Sequence, residues 1–351
     1  MRVKNRPTYV GDSLKHHADI ADCQFLIHRV HSGNTALPNE DILMRDKTVA
    51  VVILNWNGGD EILECLRSVF ESKHAAIEVV IVDNGSVDGS TDAICGRFPQ
   101  VHWIRNPRNL GFAKGSNQGI KWALKHGMRH VLLLNGDARL HPDAMEEMLA
   151  VVEEESDAVV ACPRMYLSST SAGVHRLWFA YGTVSLWLGL FRNPAFNRPD
   201  SSRWDTPLDM EFASGCCMLI PARILQNVGM LDEAFFAYCE DIDFSLRIRK
   251  AGFRLRFVPT AHLWHGNSMA TNRVRSVMYR YLSTRNNLWV VRKHGSWFEI
   301  FTCLCILPLR SLFRMVHMAI CFDWRAIAAE LKGARDGVFC RWALLDPGDH
   351  R

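Results

Sequence analysis

Val49-Ala50-Val51-Val52-Ile53-Leu54, followed at once by Asn55-Trp56-Asn57-Gly58-Gly59, is the stretch that decides the fold of this 351-residue chain. A β-branched run this short, apolar at every position rather than at alternate ones, reads as a parallel strand buried on both faces. The polar, glycine-containing segment behind it ends the strand. A helical stretch follows with Ile62, Leu63, Leu66, Val69 and Phe70 on one face. The cycle then repeats. Glu78-Val79-Val80-Ile81-Val82 is a second strand, stopped by Asp83-Asn84-Gly85-Ser86; residues 90–98 form a short helix; 101–105 form a third strand, 115–126 a helix and 131–134 a fourth strand. Strand and helix alternating at this spacing predict an α/β, Rossmann-like, mostly parallel sheet flanked by helices.

In such sheets ligands bind beyond the carboxyl ends of the strands. The residues to weigh are therefore Asn55, Asp83 and the segment after Leu132-Leu133-Leu134, namely Asn135-Gly136-Asp137. Downstream the pattern loosens. His141-Pro142-Asp143 opens a helix to about residue 155, with Pro142 suited to its first turn. Residues 158–162 and 212–220 read as strands, 164–210 show no period, and 241–251 read as a helix closed by Gly252. From Met278 onward the pattern is helical and amphipathic.

Composition sets the frame. Hydrophobic residues make up 48% and charged residues 22%, enough apolar mass for a large core. Residues 1–46 are polar and without period, a weakly ordered extension. A catalytic domain over 47–270 and a helical region over 271–351 follow. The net charge of +4 hides an uneven distribution: residues 273–335 carry eleven Lys or Arg against three acids, so this stretch is basic and the rest mildly acidic. That split indicates either an interaction surface or a solvated helix face. The 11 cysteines form no C-x-x-C pair, and no signal-peptide core opens the chain, so the thiols read as reduced in a cytoplasmic protein. The most apolar stretch, 300–322, is interrupted by Pro308, Arg310, Arg314 and His317, so a membrane-spanning helix is not expected.

Four groups carry chemistry. Asp83 ends a buried strand; its carboxylate suits the imide N–H of a uracil or thymine base, or it caps the next element. Asp137, after the fourth strand, offers hard oxygen to Mg²⁺ or Mn²⁺. In Tyr238-Cys239-Glu240-Asp241-Ile242-Asp243 three carboxylates open an amphipathic helix. The helix dipole favours acids there, and a carboxylate behind the aromatic run Phe235-Phe236-Ala237-Tyr238 also suits proton removal from a hydroxyl. His262-Leu263-Trp264-His265-Gly266 brings two imidazoles near a glycine loop.

Taken in order, these pieces resemble the family 2 glycosyltransferases with a GT-A fold. The resembling segments are Val51 to Asn57, Ile81 to Ser86, Asn109-Leu110-Gly111-Phe112-Ala113-Lys114-Gly115-Ser116-Asn117, Leu134 to Asp137 and Glu240 to Asp243. Within the family they look most like the bacterial rhamnosyltransferases of cell-surface polysaccharide synthesis. The resemblance implies an inverting transfer of a sugar, rhamnose from dTDP-rhamnose, to a glycan or a polyprenyl-diphosphate-linked acceptor. It implies that Ile53, Asn55 and Asp83 lie at the nucleotide, that Asn109, Gly111 and Lys114 lie near the nucleotide and diphosphate, and that Asn135 and Asp137 stand at the family's Asp-x-Asp motif. Asp137 with His265 would hold the metal, Asp241 would be the catalytic base, and Glu240 would support the acceptor. The sequence departs at Asn135, where the first acid of the motif is an amide.

The basic C-terminal region places Arg310, Arg314 and His317 at helical spacing among apolar residues, with Trp297 and Trp324 near the ends. That pattern suits a helix lying in the membrane interface at the inner face of the cell membrane, arginines toward anionic headgroups, or a helical pair packed on the catalytic domain. The aliphatic interleaving favours lipid over nucleic acid. A dinucleotide-binding dehydrogenase would need G-x-G-x-x-G after the first strand, where the chain has Asn57-Gly58-Gly59-Asp60. A nucleotidyltransferase would share the metal and nucleotide but not require Glu240-Asp241. A catalytically silent sugar- or nucleotide-binding protein on the same fold would not need Asp83, Asp137 and Asp241 together.

Overall fold

A computed structural model describes residues 49–74, 76–168, 175–266 and 277–339; the N-terminal extension of 1–46 lies outside the described residues. The opening stretch forms β1 (Val49–Asn55), buried except at Leu54, and it sits in the middle of the main sheet. It pairs in parallel with β2 (Ile77–Asp83) on one side and β4 (His130–Asn135) on the other, and β2 pairs in parallel with β3 (His102–Arg105). Helices α1 (Glu61–Phe70), α2 (Ser90–Arg97) and α3 (Phe112–Lys125) make the crossovers. Leu132, Ile53 and Ile81 on neighbouring strands are all fully buried, as continuous apolar runs covered on both faces require.

Beyond β4 come β5 (Ala138–Leu140), α4 (Ala144–Glu154), β6 (Val159–Leu167), β7 (Leu177–Phe179), β8 (Thr183–Ser185), β9 (Leu190–Arg192), β10 (Leu208–Asp209), β11 (Cys217–Pro221), α5 (Ala222–Val228), α6 (Glu240–Lys250) and β12 (Arg254–His265). The order across the sheet is β10-β12-β6-β11-β4-β1-β2-β3. The sheet is mostly parallel but mixed, because β11 runs antiparallel to both β4 and β6.

Several boundaries differ from those the sequence predicts. Pro142 precedes α4 rather than entering its first turn, and its carbonyl accepts from the Lys73 amide at 3.0 Å. The strand expected over 212–220 begins only at Cys217, which leaves Ser214, Gly215 and Cys216 in a loop. The strand expected to end near Val258 continues to His265, so both histidines lie in β12 and not in a loop. The stretch 164–210 contains strands of two or three residues, too short to show a period. It is fastened by buried Arg164, whose guanidinium meets Asp200 at 3.1 Å and Asp205 at 2.7 Å.

Three helices close the described chain: α7 (Val277–His294), α8 (Trp297–Ile320) and α9 (Trp324–Phe339). Helix α7 buries Leu282, Trp289, Val290 and Val291. Helix α9 lies against it so closely that a β-carbon at Gly333 would stand 2.6 Å from the Tyr281 carbonyl. Helix α8 runs unbroken through Pro308, in keeping with the helical spacing of this stretch. By length and composition it is apolar enough to cross a membrane, with a mean hydropathy of 1.5 over its 18-residue window and 18% of that window buried. Arg310 and Arg314 do not face outward. Arg310 donates to the carbonyls of Leu188 and Gly189, and Arg314 lies 3.2 Å from the wholly buried Glu330. An interior carboxylate and two turn carbonyls draw the guanidiniums inward, and the exposed face keeps Phe301, Leu309, Phe313 and Ile320. The side chain of His317 lies outside the described residues.

Helix α7 is also tied to α6. The buried Asp243 carboxylate meets His294 and Lys293, each at 2.7 Å, and Arg247 at 2.9 Å. Burial pushes its pKa up, but the His294 hydrogen bond and the charges of Arg247 and Lys293 outweigh burial and hold it at about 2. A carboxyl held below its unfolded value stabilises the fold above about pH 4 and loses that contribution as pH falls toward 2. Asp243→Asn is expected to destabilise the protein by roughly 2–4 kcal/mol at pH 7 and to flatten the acid-side decline. Equal melting temperatures for variant and wild type at pH 7 would refute this.

Candidate active site

The carboxyl ends of β1, β2 and β4 and the start of α6 converge on one side of the sheet through a chain of hydrogen bonds. Asn55 and Asp83 face each other in the β1–β2 register. Asn55 Nδ2 donates to Asp83 Oδ1 at 3.0 Å, and the Ser86 amide donates to Asp83 Oδ2 at 3.3 Å. Asn55 Nδ2 also reaches Ser86 Oγ and Ser90 Oγ at 3.1 and 3.0 Å. Asn57 knits the two loops further, accepting from the Val87 amide at 2.8 Å. The Asp83 carboxylate is thus fixed by its neighbours before any ligand binds. Ile53, expected at the nucleotide, has its side chain fully buried between Ile81 and Leu134, two residues before the strand end, so it offers a ligand only its backbone.

The segment from Asn109 to Lys114 is fastened to the end of β2 by two residues the sequence reading did not single out. Asn84 Nδ2 donates to Gly111 O at 3.1 Å and to Asn109 Oδ1 at 3.3 Å, and Asn106 Nδ2 donates to Asn84 Oδ1 at 2.9 Å. Gly111 has φ +87°, and a β-carbon there would stand 2.6 Å from the Phe236 carbonyl oxygen, so only glycine fits. Lys114, half-buried in the first turn of α3, places a cation near the helix's positive end. Two amides of that turn are already engaged: Phe112 N and Ala113 N donate to Phe236 O at 2.6 and 3.3 Å. The Gly115 amide donates to Gly111 O at 3.2 Å, so the groups of this turn that could meet an anion are Lys114 and its own amide.

At the third strand end Asn135, Asp137 and His265 come together although 130 residues separate the first from the last. Asp137 Oδ1 and Asn135 Nδ2 each lie 3.4 Å from His265 Nε2. The Gly266 amide donates to Asp137 O at 2.7 Å, and the Trp178 ring stacks on the His265 ring at 4.2 Å. The second imidazole does not join them. His262 is three positions earlier on the same strand, so its side chain leaves by the opposite face and bonds Pro259 O at 2.9 Å. Behind the site, burial and the Asp137 charge push the Cys65 thiol up, so it stays protonated and donates to Asn135 O at 3.4 Å.

Among the described residues no three His, Cys, Asp or Glu side chains cluster as a metal cage. A carboxylate and an imidazole on one small surface nonetheless fit a hard or borderline divalent ion that takes its remaining ligands from phosphate oxygen and water.

Glu240 and Asp241 form the first turn of α6. Glu240 is buried. Asp241 is partly exposed, and its Oδ2 accepts from the Gly215 amide at 3.0 Å. The neighbouring carbonyl of Cys216 accepts the Asn135 amide at 2.9 Å. The loop of Ser214, Gly215 and Cys216 thus links the carboxylate at the head of α6 to the strand end that carries Asp137. Its misreading as strand is why this link was not foreseen.

Comparison with known proteins agrees with the fold. Residues 50–229 match the family model described as glycosyl transferase family 2. The low-salt glycan biosynthesis hexosyltransferase Agl10 of Haloferax volcanii is 26% identical over 239 residues, 68% of this chain and 73% of that protein. The N-acetylglucosaminyl-diphospho-decaprenol L-rhamnosyltransferase of Mycobacterium tuberculosis is 22% identical over 270 residues, 71% of this chain and 86% of that one. The structure of GalNAc-T7 with UDP, GalNAc and Mn²⁺ superposes with a TM-score of 0.54 at 17% identity, covering 70% of this chain and 47% of that one. The likeness is one of fold, and that fold is GT-A.

Proposed function

The chain belongs to glycosyl transferase family 2, and on that premise we propose that this glycosyltransferase moves rhamnose from dTDP-rhamnose, with inversion, to a sugar carried on a polyprenyl diphosphate. The observation that carries this reading is the link through Ser214, Gly215 and Cys216, which joins a single oriented carboxylate, Asp241, to the strand end bearing Asp137. Asp241 takes the proton from the acceptor hydroxyl. The oxygen so activated attacks the anomeric carbon from the side opposite the diphosphate, and one displacement inverts the configuration. Asp83, oriented by Asn55, accepts from the base, Lys114 faces the diphosphate, and Glu240 supports the acceptor. Asp137 and His265 would hold Mg²⁺ or Mn²⁺, which when bound offsets the charge on the departing nucleoside diphosphate. The rhamnosyl donor and lipid-linked acceptor rest on the name of the mycobacterial relative. The Mn²⁺ in GalNAc-T7 supports the cation.

The outer face of α8 supports a membrane-surface setting at the inner face of the cell membrane. Trp297, Phe301, Leu309, Phe313 and Ile320, with Trp324 at the start of α9, are each more than half exposed, and exposed apolar residues gathered on one helix mark an interaction surface. With Arg310 and Arg314 turned inward, apolar insertion rather than headgroup charge supplies the affinity.

The test is transfer from dTDP-rhamnose to polyprenyl-diphosphate-linked N-acetylglucosamine in the presence of Mn²⁺ and phospholipid vesicles. The expected result is an inverted rhamnoside, with a Leu309→Glu, Phe313→Glu double variant losing about tenfold in vesicle binding. A retained configuration would sink the single-base mechanism. Transfer from UDP- or GDP-sugars alone would sink the donor, and unchanged vesicle binding would sink the membrane face.

A further inference from the structure

The head of α6 is reached through a backbone turn that its own residue types do not favour. Phe236, Tyr238 and Cys239 all have positive φ, at 63°, 69° and 69°, and none is glycine. Side chains with a β-carbon adopt such angles at a cost of about 1–3 kcal/mol each, and only where the surroundings impose them. Two elements grip this turn. From one side, the first amides of α3 donate to the Phe236 carbonyl. From the other, a single side chain of α7 spans the turn: the Asn286 amide group contacts Phe235 O at 3.1 Å, Ala237 O at 2.9 Å and Tyr238 O at 2.7 Å.

Asn286 is itself fully buried and held in place. Its Oδ1 accepts from Arg285 Nε at 2.8 Å, and the Arg285 guanidinium donates to Phe235 O at 3.2 Å while lying 4.1 Å over the Trp289 ring. Beside it, Asn287 Oδ1 accepts from the Cys239 thiol at 3.2 Å. Helix α7 lies outside the matched 50–229 segment, yet it supplies the donors for three carbonyls immediately before Glu240 and Asp241.

We propose that Asn286 is a positioning residue for the transfer step: it holds the 235–239 turn in the positive-φ conformation that aims Asp241 at the acceptor hydroxyl. The proposal rests on Asp241 being the base. Without the Asn286 amide, the Ala237 and Tyr238 carbonyls lose its N–H groups, while Phe235 O keeps the Arg285 guanidinium. The peptides between Ala237 and Cys239 then rotate toward ordinary φ, and the first turn of α6 moves with them. The nucleotide contacts at Asn55, Asp83 and Asn109 belong to other elements and stay as they are. The loss therefore falls on turnover and not on donor binding.

The experiment compares wild type, Asn286→Ala, and Asn286→Ala combined with Cys239→Gly, in the rhamnosyl-transfer assay with Mn²⁺. The single variant is expected to lose roughly 100-fold in kcat, the scale of a misplaced reacting group, with dTDP affinity within about twofold. Amide exchange over 236–241 should rise while β1 stays protected. The double variant should recover about tenfold, because glycine adopts the left-handed region without strain. If the alanine variant does not fold, Asn286→Ser, which keeps one donor, should show the same kcat-selective loss at smaller size. Unchanged kcat overturns the proposal. So does a joint fall of kcat, dTDP affinity and melting temperature that Cys239→Gly does not relieve, which would make Asn286 a packing residue. Asp241→Asn with normal turnover would instead overturn the base assignment, leaving the exchange data to report on the turn alone.

Discussion

Asp241→Asn is expected to lower the rate of sugar transfer roughly a thousandfold, about 4 kcal/mol of barrier, while leaving dTDP binding within about twofold. The asymmetry follows from the two jobs the carboxylate does. One oxygen accepts from the Gly215 amide at 3.0 Å and the other from the Ile242 amide at 2.8 Å. An asparagine oxygen can keep the first of these, so the loop of Ser214, Gly215 and Cys216 stays in place and with it the strand end that carries Asp137. What asparagine cannot do is accept a proton. The variant should therefore bind donor, keep its melting temperature and fail at the chemical step. Normal turnover by Asp241→Asn would remove the residue from the mechanism.

Asp137→Asn carries the second large effect. The substitution keeps size and shape but removes the carboxylate charge that the strand-end group of Asn135, Asp137 and His265 offers a cation. Wild-type dTDP binding should tighten when Mn²⁺ is added, whereas binding to the variant should be insensitive to it. Turnover should fall by roughly 100-fold or more, since metal stabilisation of the departing diphosphate is a matter of several kcal/mol. Asp137 is a cleaner probe than His265, which is 1% exposed and stacked on Trp178, so that its replacement would also disturb packing. Full wild-type activity in excess chelator would end the metal reading, whatever the variant does.

Truncating the C-terminal helices would be a poor test of membrane docking. Glu330 of α9 accepts from Thr284 of α7 at 2.8 Å and from Ser311 of α8 at 3.2 Å. Thr284 is next to the Arg285–Asn286 pair that grips the catalytic turn. Removing α8 and α9 would strip a buried carboxylate network and loosen that grip. Loss of activity would then say nothing about lipid, whereas point changes on the exposed face of α8 separate the two.

The alternation of apolar runs and polar breaks from Val49 to Asn135 was enough to place four strands, three helices and the strand-end residues Asn55, Asp83, Asn135 and Asp137. Those features are local, because burial on two faces and a glycine-marked stop are written into neighbouring residues. Which strand ends meet is not local. His265 reaches Asp137 because β12 runs on for 12 residues beside β6 and β5, while His262, equally prominent in sequence, is turned away by the two-residue pleat. Arg310 and Arg314 read as lipid-facing until the packing of α8 supplied Glu330 and the 188–189 carbonyls as nearer partners. Asn286 carries no sequence signal, since its meaning lies in three carbonyls about fifty residues earlier. The strand-end chemistry opened by Val49 to Gly59 was thus decided by the sequence alone, and the choice of partners for those groups by tertiary contacts, because period reports burial whereas partnership depends on long-range register and helix packing.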